Sequence, residues 1–157
     1  MIPAKRVSMK NAVIFFTILF LALTGAGAAS SVELDAFQYR FQKKILAAFK
    51  IKTPAAREKA FMDLFYLEGA NPKTKNVTVR AMYVRSLVKF KNPKVLFKPV
   101  SKDFKQTFVS KGKKFSYNLP VLGKVVIKGK LGTSNARFQN FYGRKGNELF
   151  IVVPVSR

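Results

Sequence analysis

The residues of this chain that could do chemistry are limited first by two absences. The sequence contains no cysteine and no histidine. Thiolate nucleophiles, thiolate metal sites and disulfides are therefore excluded, and so are the commonest general base and the commonest metal ligand. The seven acidic residues are scattered along the chain, which is a poor arrangement for a hard cation that needs several oxygen ligands together. We expect no metal and no cofactor.

The densest pair of carboxylates is formed by Asp63 and Glu68. Paired carboxylates can hydrolyse a glycosidic bond. However, residues five apart on a helix are separated by about 140° around its axis, so these two do not share a face. We interpret them as surface partners of Lys59 or Lys73.

Serine next to lysine is a second possible catalytic pair, because a lysine can activate a serine nucleophile. Ser110-Lys111 and Ser101-Lys102 have this form. With 30 Lys and Arg residues in 157, such neighbours arise by chance, and the glycine spacings match neither a nucleophile elbow nor a phosphate-binding loop. The sequence predicts no catalytic residue and no enzyme.

Basic residues interleaved with aromatic residues form the one combination that indicates a binding site. Tyr117 and Tyr142 lie near the basic residues in sequence, and sheets that bind nucleic acid combine aromatic rings for bases with cations for phosphate. The alternative is a solvated lysine surface that keeps the protein soluble. The candidate polyanion-binding residues are Lys111, Lys113, Lys114, Lys124, Lys128, Lys130, Arg144 and Lys145.

The first 28 residues have the three parts of a secretory signal peptide. Residues 1–10 carry Lys5, Arg6 and Lys10, residues 12–23 are almost wholly apolar, and small residues follow up to Ala28. This order predicts cleavage after Ala28, with Ala29 as the second choice. The alternative is an uncleaved anchor helix, but a bilayer span needs about 20 apolar residues and this core has about 12. We expect a signal peptide over residues 1–28 and one secreted domain over residues 29–157.

The net charge of the chain predicts the class of partner. Its 30 Lys and Arg against 7 Asp and Glu give +23, and removing the three basic residues of the leader leaves 27 against 7, or +20. Such a surface attracts polyanions over a long range. Because an exported protein meets little intracellular nucleic acid, we expect an anionic polysaccharide, a wall polymer or an acidic membrane surface as partner. The predicted function is non-catalytic association with such a polyanion, in the periplasm, at the cell envelope or outside the cell.

Residues 30–90 show helical periodicity. Leu34, Phe37, Phe41, Ile45 and Phe49 recur every three or four residues, which predicts an amphipathic helix; Ser30 and Glu33 fit a capping box at its start. A second helix is predicted from Thr53-Pro54 to Gly69, with a buried stripe of Phe61, Leu64 and Phe65. Residues 74–90 fit either a helix, with Val77 and Val84 on its apolar face, or an alternating strand, and we favour the helix.

After Asn92-Pro93 the period changes to two, which indicates strands. Val95 and Phe97 fall on one side and Lys94 and Lys98 on the other. Short glycine turns connect the later segments, so neighbouring strands should be antiparallel. The last segment is apolar on both faces and should be central or covered. The predicted fold is α+β, with two or three N-terminal helices on an antiparallel, curved sheet of about five or six strands. The later strands are predicted over residues 106–110, 115–119, 124–131, 136–142 and 149–155.

An apolar pocket is the alternative binding site. A curved sheet covered by helices often leaves such a pocket, and the side chains that could line it are Phe61, Phe65, Tyr66, Phe138 and Phe141. The competing interpretation is that these rings fill the core, since a domain of this size needs large apolar side chains inside.

Two segments carry a resemblance to other proteins. Asn118-Leu-Pro-Val-Leu-Gly-Lys124 and Asn140-Phe-Tyr-Gly-Arg-Lys-Gly146, with the terminal apolar strand, resemble small secreted bacterial proteins of unknown function. More distantly, helices followed by a curved antiparallel sheet are similar to the nuclear-transport-factor-2-like cone fold. That resemblance implies a pocket between helices and sheet, and it assigns no functional residue.

Overall fold

The computed structural model describes residues 35–156. The predicted signal peptide, its cleavage site and the predicted capping box of Ser30 and Glu33 lie outside these residues. None of the helices within residues 35–156 has both the length and the apolar character needed to span a bilayer.

The first helix, α1, spans Ala36–Lys50. Its N-cap is Asp35, whose carboxylate accepts a hydrogen bond from the Gln38 backbone N–H at 2.8 Å. A side chain in this position satisfies one of the amides that the first helical turn leaves free. The buried face of α1 carries Phe41, Ile45 and Ala48, as the periodicity predicted for Phe41 and Ile45.

The second helix, α2, spans Pro54–Met62 and so ends earlier than Gly69, where its end was predicted. The reason is a tertiary contact. After Met62 the chain turns at Asp63 and Leu64, and Phe65 then forms a parallel β-bridge with Ile151. Phe61, Leu64 and Phe65, the predicted buried stripe, are all buried. Only Phe61 lies within α2; the other two residues follow its end.

Residues 74–87 are helical, which confirms the preference for a helix there. The hydrogen bonding is π-helical over Thr74–Val84 and α-helical over Arg85–Leu87, and we call the two together the third helix. The i→i+5 bonds of a π-helix give a wider turn than an α-helix. The buried positions are therefore Val79, Val84 and Leu87, whereas Val77, expected on the apolar face, is 49% exposed.

The strands form two antiparallel sheets, so the predicted α+β class, with helices preceding antiparallel strands, is confirmed. Among the described residues, one sheet has four strands in the order β1-β4-β5-β6 and is curled into a half-barrel, and the other has three in the order β2-β3-β7. The strands are β1 Lys91–Lys98, β2 Thr107–Ser110, β3 Lys113–Tyr117, β4 Val121–Leu131, β5 Ser134–Lys145, β6 Glu148–Ile151 and β7 Pro154–Ser156.

The four-stranded sheet curls around α1, and side chains of α1 bind both edge strands of the sheet, β1 and β6. On one edge, the Gln42 side-chain amide donates to the Val95 carbonyl at 3.2 Å. On the other, the Lys44 ammonium lies 3.2 Å from the Glu148 carboxylate. The concave face of the sheet therefore holds the core. Its inward residues include Val95, Val125, Ile127, Phe138 and Tyr142.

The last apolar segment is covered, one of the two arrangements expected. Ile151 is fully buried. Its N–H donates to the Leu64 carbonyl at 2.7 Å, and its carbonyl accepts from the Tyr66 N–H at 2.9 Å. Residues 64–66, in the segment after α2, thus cover β6, which is an edge strand of the four-stranded sheet.

Asn118 fastens the same segment to the chain that follows β6. Its amide nitrogen donates to the carbonyls of Tyr66 at 2.6 Å and Glu68 at 3.1 Å, and its amide oxygen accepts from the Val153 N–H at 3.1 Å. One side chain therefore satisfies three backbone groups that would otherwise be left without partners.

Replacing Ile151 with Asp is expected to prevent folding, because the carboxylate would enter the core without a partner. Far-ultraviolet circular dichroism and chemical denaturation measure this. The control is Ile151→Val, which keeps an apolar side chain and should cost only about 0.5–1.5 kcal/mol of the free energy of unfolding. A cooperatively folded Ile151→Asp protein would contradict the placement of this residue.

Candidate functional site

The outer, convex face of the four-stranded sheet carries rows of basic residues at positions directly opposite one another. In the register of β1 with β4, three lysines of one strand face three lysines of the other, and the middle row continues to an arginine on β5. We call these seven residues the basic ladder. The rows are Lys91 with Lys130, Lys94 with Lys128 and Arg137, and Lys98 with Lys124.

Strand alternation explains why these side chains share one face. Val125 and Ile127 of β4 point into the core, so Lys124 and Lys128 point outward, because successive residues of a strand alternate between faces. Val126 also lies on the outer face, yet it is fully buried. Its cross-strand neighbours are Leu96 and Gln139. Lys124 and Lys128 lie two positions away on the same face, and the aliphatic stems of such side chains can cover an apolar residue while their charged ends stay in water.

The arrangement costs stability. Residues at opposite positions of an antiparallel pair have Cβ atoms about 4.5–5.5 Å apart, and like charges at such positions are destabilising. In the register of β1, β4 and β5 no carboxylate lies opposite a ladder residue: the remaining partners are Asn135, opposite Lys130, and Phe141, opposite Lys124. Between the row of Lys94 with Lys128 and the row of Lys98 with Lys124 lies an uncharged row of Leu96, Val126 and Gln139. Three carboxylates of the described residues form ion pairs elsewhere, Glu148 with Lys44, Asp63 with Lys59 and Glu58 with Arg80.

A groove of about 270 Å³ lies within the ladder. It forms where the register of β1 and β4 shifts between Lys91 and Lys94, with Asn92 in the left-handed region at φ 50°. The opposite residue is Gly129, where a Cβ would come within 2.9 Å of the Lys91 carbonyl oxygen. The groove therefore combines amide and ammonium donors. Its lining includes Asn92, Lys94, Lys128, Lys130 and Asn135.

The structure separates the eight basic residues that the sequence singled out. Lys124, Lys128 and Lys130 belong to the ladder. The turn of the β2–β3 hairpin carries Lys111, while Lys113 and Lys114 begin β3 on opposite faces of that strand. Two further residues pack against aromatic rings, since the Arg144 guanidinium lies 5.0 Å from the Phe37 ring and the Lys145 ammonium 5.8 Å from the Tyr66 ring.

Four members of the ladder were missing from the sequence-based site: Lys91, Lys94, Lys98 and Arg137. The signal for two of them was present, because the alternation of β1 already placed Lys94 and Lys98 on one side. What the sequence did not provide was the partner strand. Only the pairing of β1 with β4 brings these lysines opposite those of β4.

The acidic residues considered for catalysis have structural partners. Asp63 pairs with Lys59 at 3.1 Å, one of the two partners expected for it. Glu68 accepts a hydrogen bond from the Tyr66 hydroxyl, and this bond is the main reason why the pKa of Tyr66 is raised above its ordinary value. Tyr66 is therefore a neutral donor at physiological pH rather than a phenolate. No cluster of three or more potential metal ligands occurs within residues 35–156.

The five rings proposed to line an apolar pocket do not gather in one place. Phe61, Phe65 and Phe138 are buried in the core. Phe141 belongs to the outer face of the four-stranded sheet, where it contacts Phe104 and Tyr117 at centroid distances of 4.9 and 5.2 Å. Tyr66 lines a surface groove of about 430 Å³. This distribution favours core packing for three of the rings.

Comparisons of the chain with protein-family models, with curated proteins and with solved structures find no match. The resemblance to the nuclear-transport-factor-2-like cone fold stays a prediction.

Replacing Lys128 with Glu is expected to stabilise the protein, because the new carboxylate would face Lys94 on one side and Arg137 on the other. We expect the free energy of unfolding to rise by about 0.2–1 kcal/mol for each pair at low salt, and the gain to shrink as salt screens the charges. Chemical denaturation at two ionic strengths measures it. The control is Lys52→Glu, which makes the same charge change at an exposed residue outside the sheets. Equal stabilisation by both variants would show that only net charge matters.

Proposed function

We propose that the protein is a non-catalytic binding protein for a linear polyanion, an anionic polysaccharide or wall polymer of the cell envelope, and that the basic ladder binds it. The observation that carries this proposal is the alignment of like charges in three cross-strand rows without a carboxylate among them. An anionic chain lying on these rows would convert their mutual repulsion into attraction.

Solubility alone does not require this alignment. A surface that only keeps a protein soluble works best with charges of both signs interspersed. Lysines at positions that are not opposite one another would also keep the protein soluble, and they would lower its stability less. Here Lys128 faces a basic residue on each side. The repulsion between these basic residues lowers the stability of the free protein, and a bound anion would remove that repulsion.

The shape of the face favours a linear polymer over a bilayer. The ladder occupies the convex side of a sheet that curls around α1. A flexible chain can follow such a surface across several rows, whereas a planar bilayer meets a convex surface along a narrow strip. Along each strand, residues four apart such as Lys94 and Lys98 are separated by about 13 Å. A polymer that runs along the strand direction therefore meets successive clusters of positive charge.

The predicted export of the protein agrees with this class of ligand, because anionic polysaccharides and wall polymers are found outside the cytoplasm. The grooves also favour association over chemistry. The groove within the ladder is lined by ammonium and amide groups, and it includes no carboxylate or hydroxyl that could act as a base or nucleophile.

Heparin is a suitable probe polymer for the ladder. Replacing both Lys94 and Lys128 with glutamine is expected to weaken heparin binding, and to lower the slope of log affinity against log salt by about two, since each lysine in contact contributes about one. The matched control, Lys50→Gln with Lys52→Gln, removes the same charge from exposed residues at the end of α1. Isothermal titration at several salt concentrations measures both quantities.

Three outcomes would contradict the proposal. The first is no binding of heparin at low ionic strength. The second is an equal loss of affinity in the ladder variant and its control, which would mean that net charge and not the ladder binds. The third is tight binding to vesicles of acidic phospholipid without binding to heparin or purified wall polymer, which would assign the face to a membrane surface instead.

A further inference from the structure

A groove of about 560 Å³ lies apart from the ladder, between the start of the third helix and the β2–β3 hairpin. Its volume falls in the range of about 300–1,000 Å³ that is usual for small-molecule sites. Segments distant in sequence meet there: residues 71–78, the hairpin turn at Lys111, and Ser156 of β7. Two of the basic residues that the sequence singled out, Lys111 and Lys113, line this groove.

Most polar side chains of the groove form no ion pair or hydrogen bond within residues 35–156; the exception is Asn71, whose amide oxygen accepts from the Thr74 backbone N–H at 2.8 Å. Lys73, Lys111 and Lys113 form no ion pair within residues 35–156, and no carboxylate lines the groove. Four hydroxyl groups there likewise make no hydrogen bond to residues 35–156. They belong to Thr74, Thr78, Ser110 and Ser156.

Lys111 occupies a backbone conformation that does not suit lysine. It has φ 49°, and the following Gly112 has φ 72°, so both central residues of this two-residue turn are left-handed. Such hairpin turns strongly prefer Asn-Gly, and a non-glycine residue with positive φ is strained. A lysine at this position therefore needs a reason beyond turn formation, and its place on the groove supplies one.

The kinds of donor and acceptor in the groove select among anions. Three ammonium groups attract negative charge, but a fully ionised inorganic anion such as sulfate accepts hydrogen bonds only. Hydroxyl groups both donate and accept, which matches the hydroxyl groups of a sugar. Phe115, half-buried in the lining, adds an apolar surface of the kind that the C–H groups of a sugar ring contact. An acidic sugar uses all three features.

Aromatic side chains connect this groove to the ladder. Phe115 stacks on Phe108 at 5.7 Å, Phe108 contacts Tyr117 at 5.8 Å, and Tyr117 contacts Phe141 at 5.2 Å. The Lys124 ammonium of the ladder lies 5.8 Å from the Phe141 ring. A continuous row of rings thus extends from the groove to the basic face.

We propose that this groove is a second binding site, which takes a short acidic oligosaccharide of one or two sugar units bearing carboxylate or sulfate groups. The ammonium groups of Lys73, Lys111 and Lys113 hold the acidic groups, and the hydroxyl groups of the lining hold the sugar hydroxyls. The site does not require the ladder, and its ligand is smaller and chemically more specific than a polyanion.

A heparin-derived disaccharide is the probe, and neighbouring residues of β3 provide a matched pair of variants. Lys113 lines the groove, while Lys114 points to the other face of the same strand. We expect Lys113→Gln to weaken disaccharide binding at least tenfold and Lys114→Gln to leave it within twofold. Isothermal titration measures both, with an uncharged disaccharide and inorganic sulfate as competitors that should be ineffective.

Lys111→Asn provides a second variant, which we expect to keep the fold because this turn prefers Asn-Gly. Asparagine suits the left-handed turn, so the melting temperature should rise by a few degrees while disaccharide affinity falls. A rise in melting temperature with unchanged affinity, an equal loss in the Lys113 and Lys114 variants, or displacement by sulfate alone would each overturn the proposal. So would the absence of disaccharide binding by the unaltered protein.

The two sites are distinguished by exchanging the probes. The Lys94 and Lys128 double variant should keep its disaccharide affinity while it loses heparin affinity, and Lys113→Gln should do the reverse. Failure of disaccharide binding in a protein that binds heparin through the ladder would refute the groove alone. Disaccharide binding without salt-dependent heparin binding would refute the ladder alone.

Discussion

The structure depends on the pairing of the Ile151 backbone with the segment that follows α2. The N–H and carbonyl of Ile151 bond to Leu64 and Tyr66, and Asn118 fastens the same segment from its other side. These bonds cover the edge strand β6, and they bring together the loop before β4, the chain after β6 and the segment between α2 and the third helix. Because β6 pairs with β5 and β5 with β4, the strand that carries three of the seven ladder residues is positioned through this junction.

Much of the fold could be predicted because local periodicity determined it. The apolar spacing of α1 placed Phe41 and Ile45 in the core, and the alternation of β1 placed Val95 and Phe97 on the core side with Lys94 and Lys98 on the other. The errors occurred where a distant contact or an unusual turn replaced the local pattern. Pairing with Ile151 ends α2 at Met62, and the wider turn of the π-helix leaves Val77 exposed. The β2–β3 loop is shorter than the predicted four residues because Lys111 adopts a left-handed conformation.

The candidate sites were less predictable than the fold, since both are made by residues far apart in the chain. The sequence grouped basic residues by proximity, and so it joined Arg144 and Lys145, which lie on neighbouring positions but contact different rings. It omitted Arg137, which becomes significant only when the register places it opposite Lys128. The second groove combines residues 71–78 with Lys111 and Ser156, and no spacing rule links these segments.

The position of β1 in the sheet gives its lysines a second consequence. β1 is an edge strand, and only β4 pairs with it among the described residues. Proteins keep such edges from pairing with another molecule by placing lysine, proline and bulges on them, and β1 has all three in Lys94, Pro93 and the irregularity at Asn92. An anionic polymer bound to the ladder would neutralise the lysine charges that protect this edge. The same polymer molecule would hold several copies of the protein close together. Self-association of the protein through the edge strand β1 would then depend on the number of protein copies bound per length of polymer.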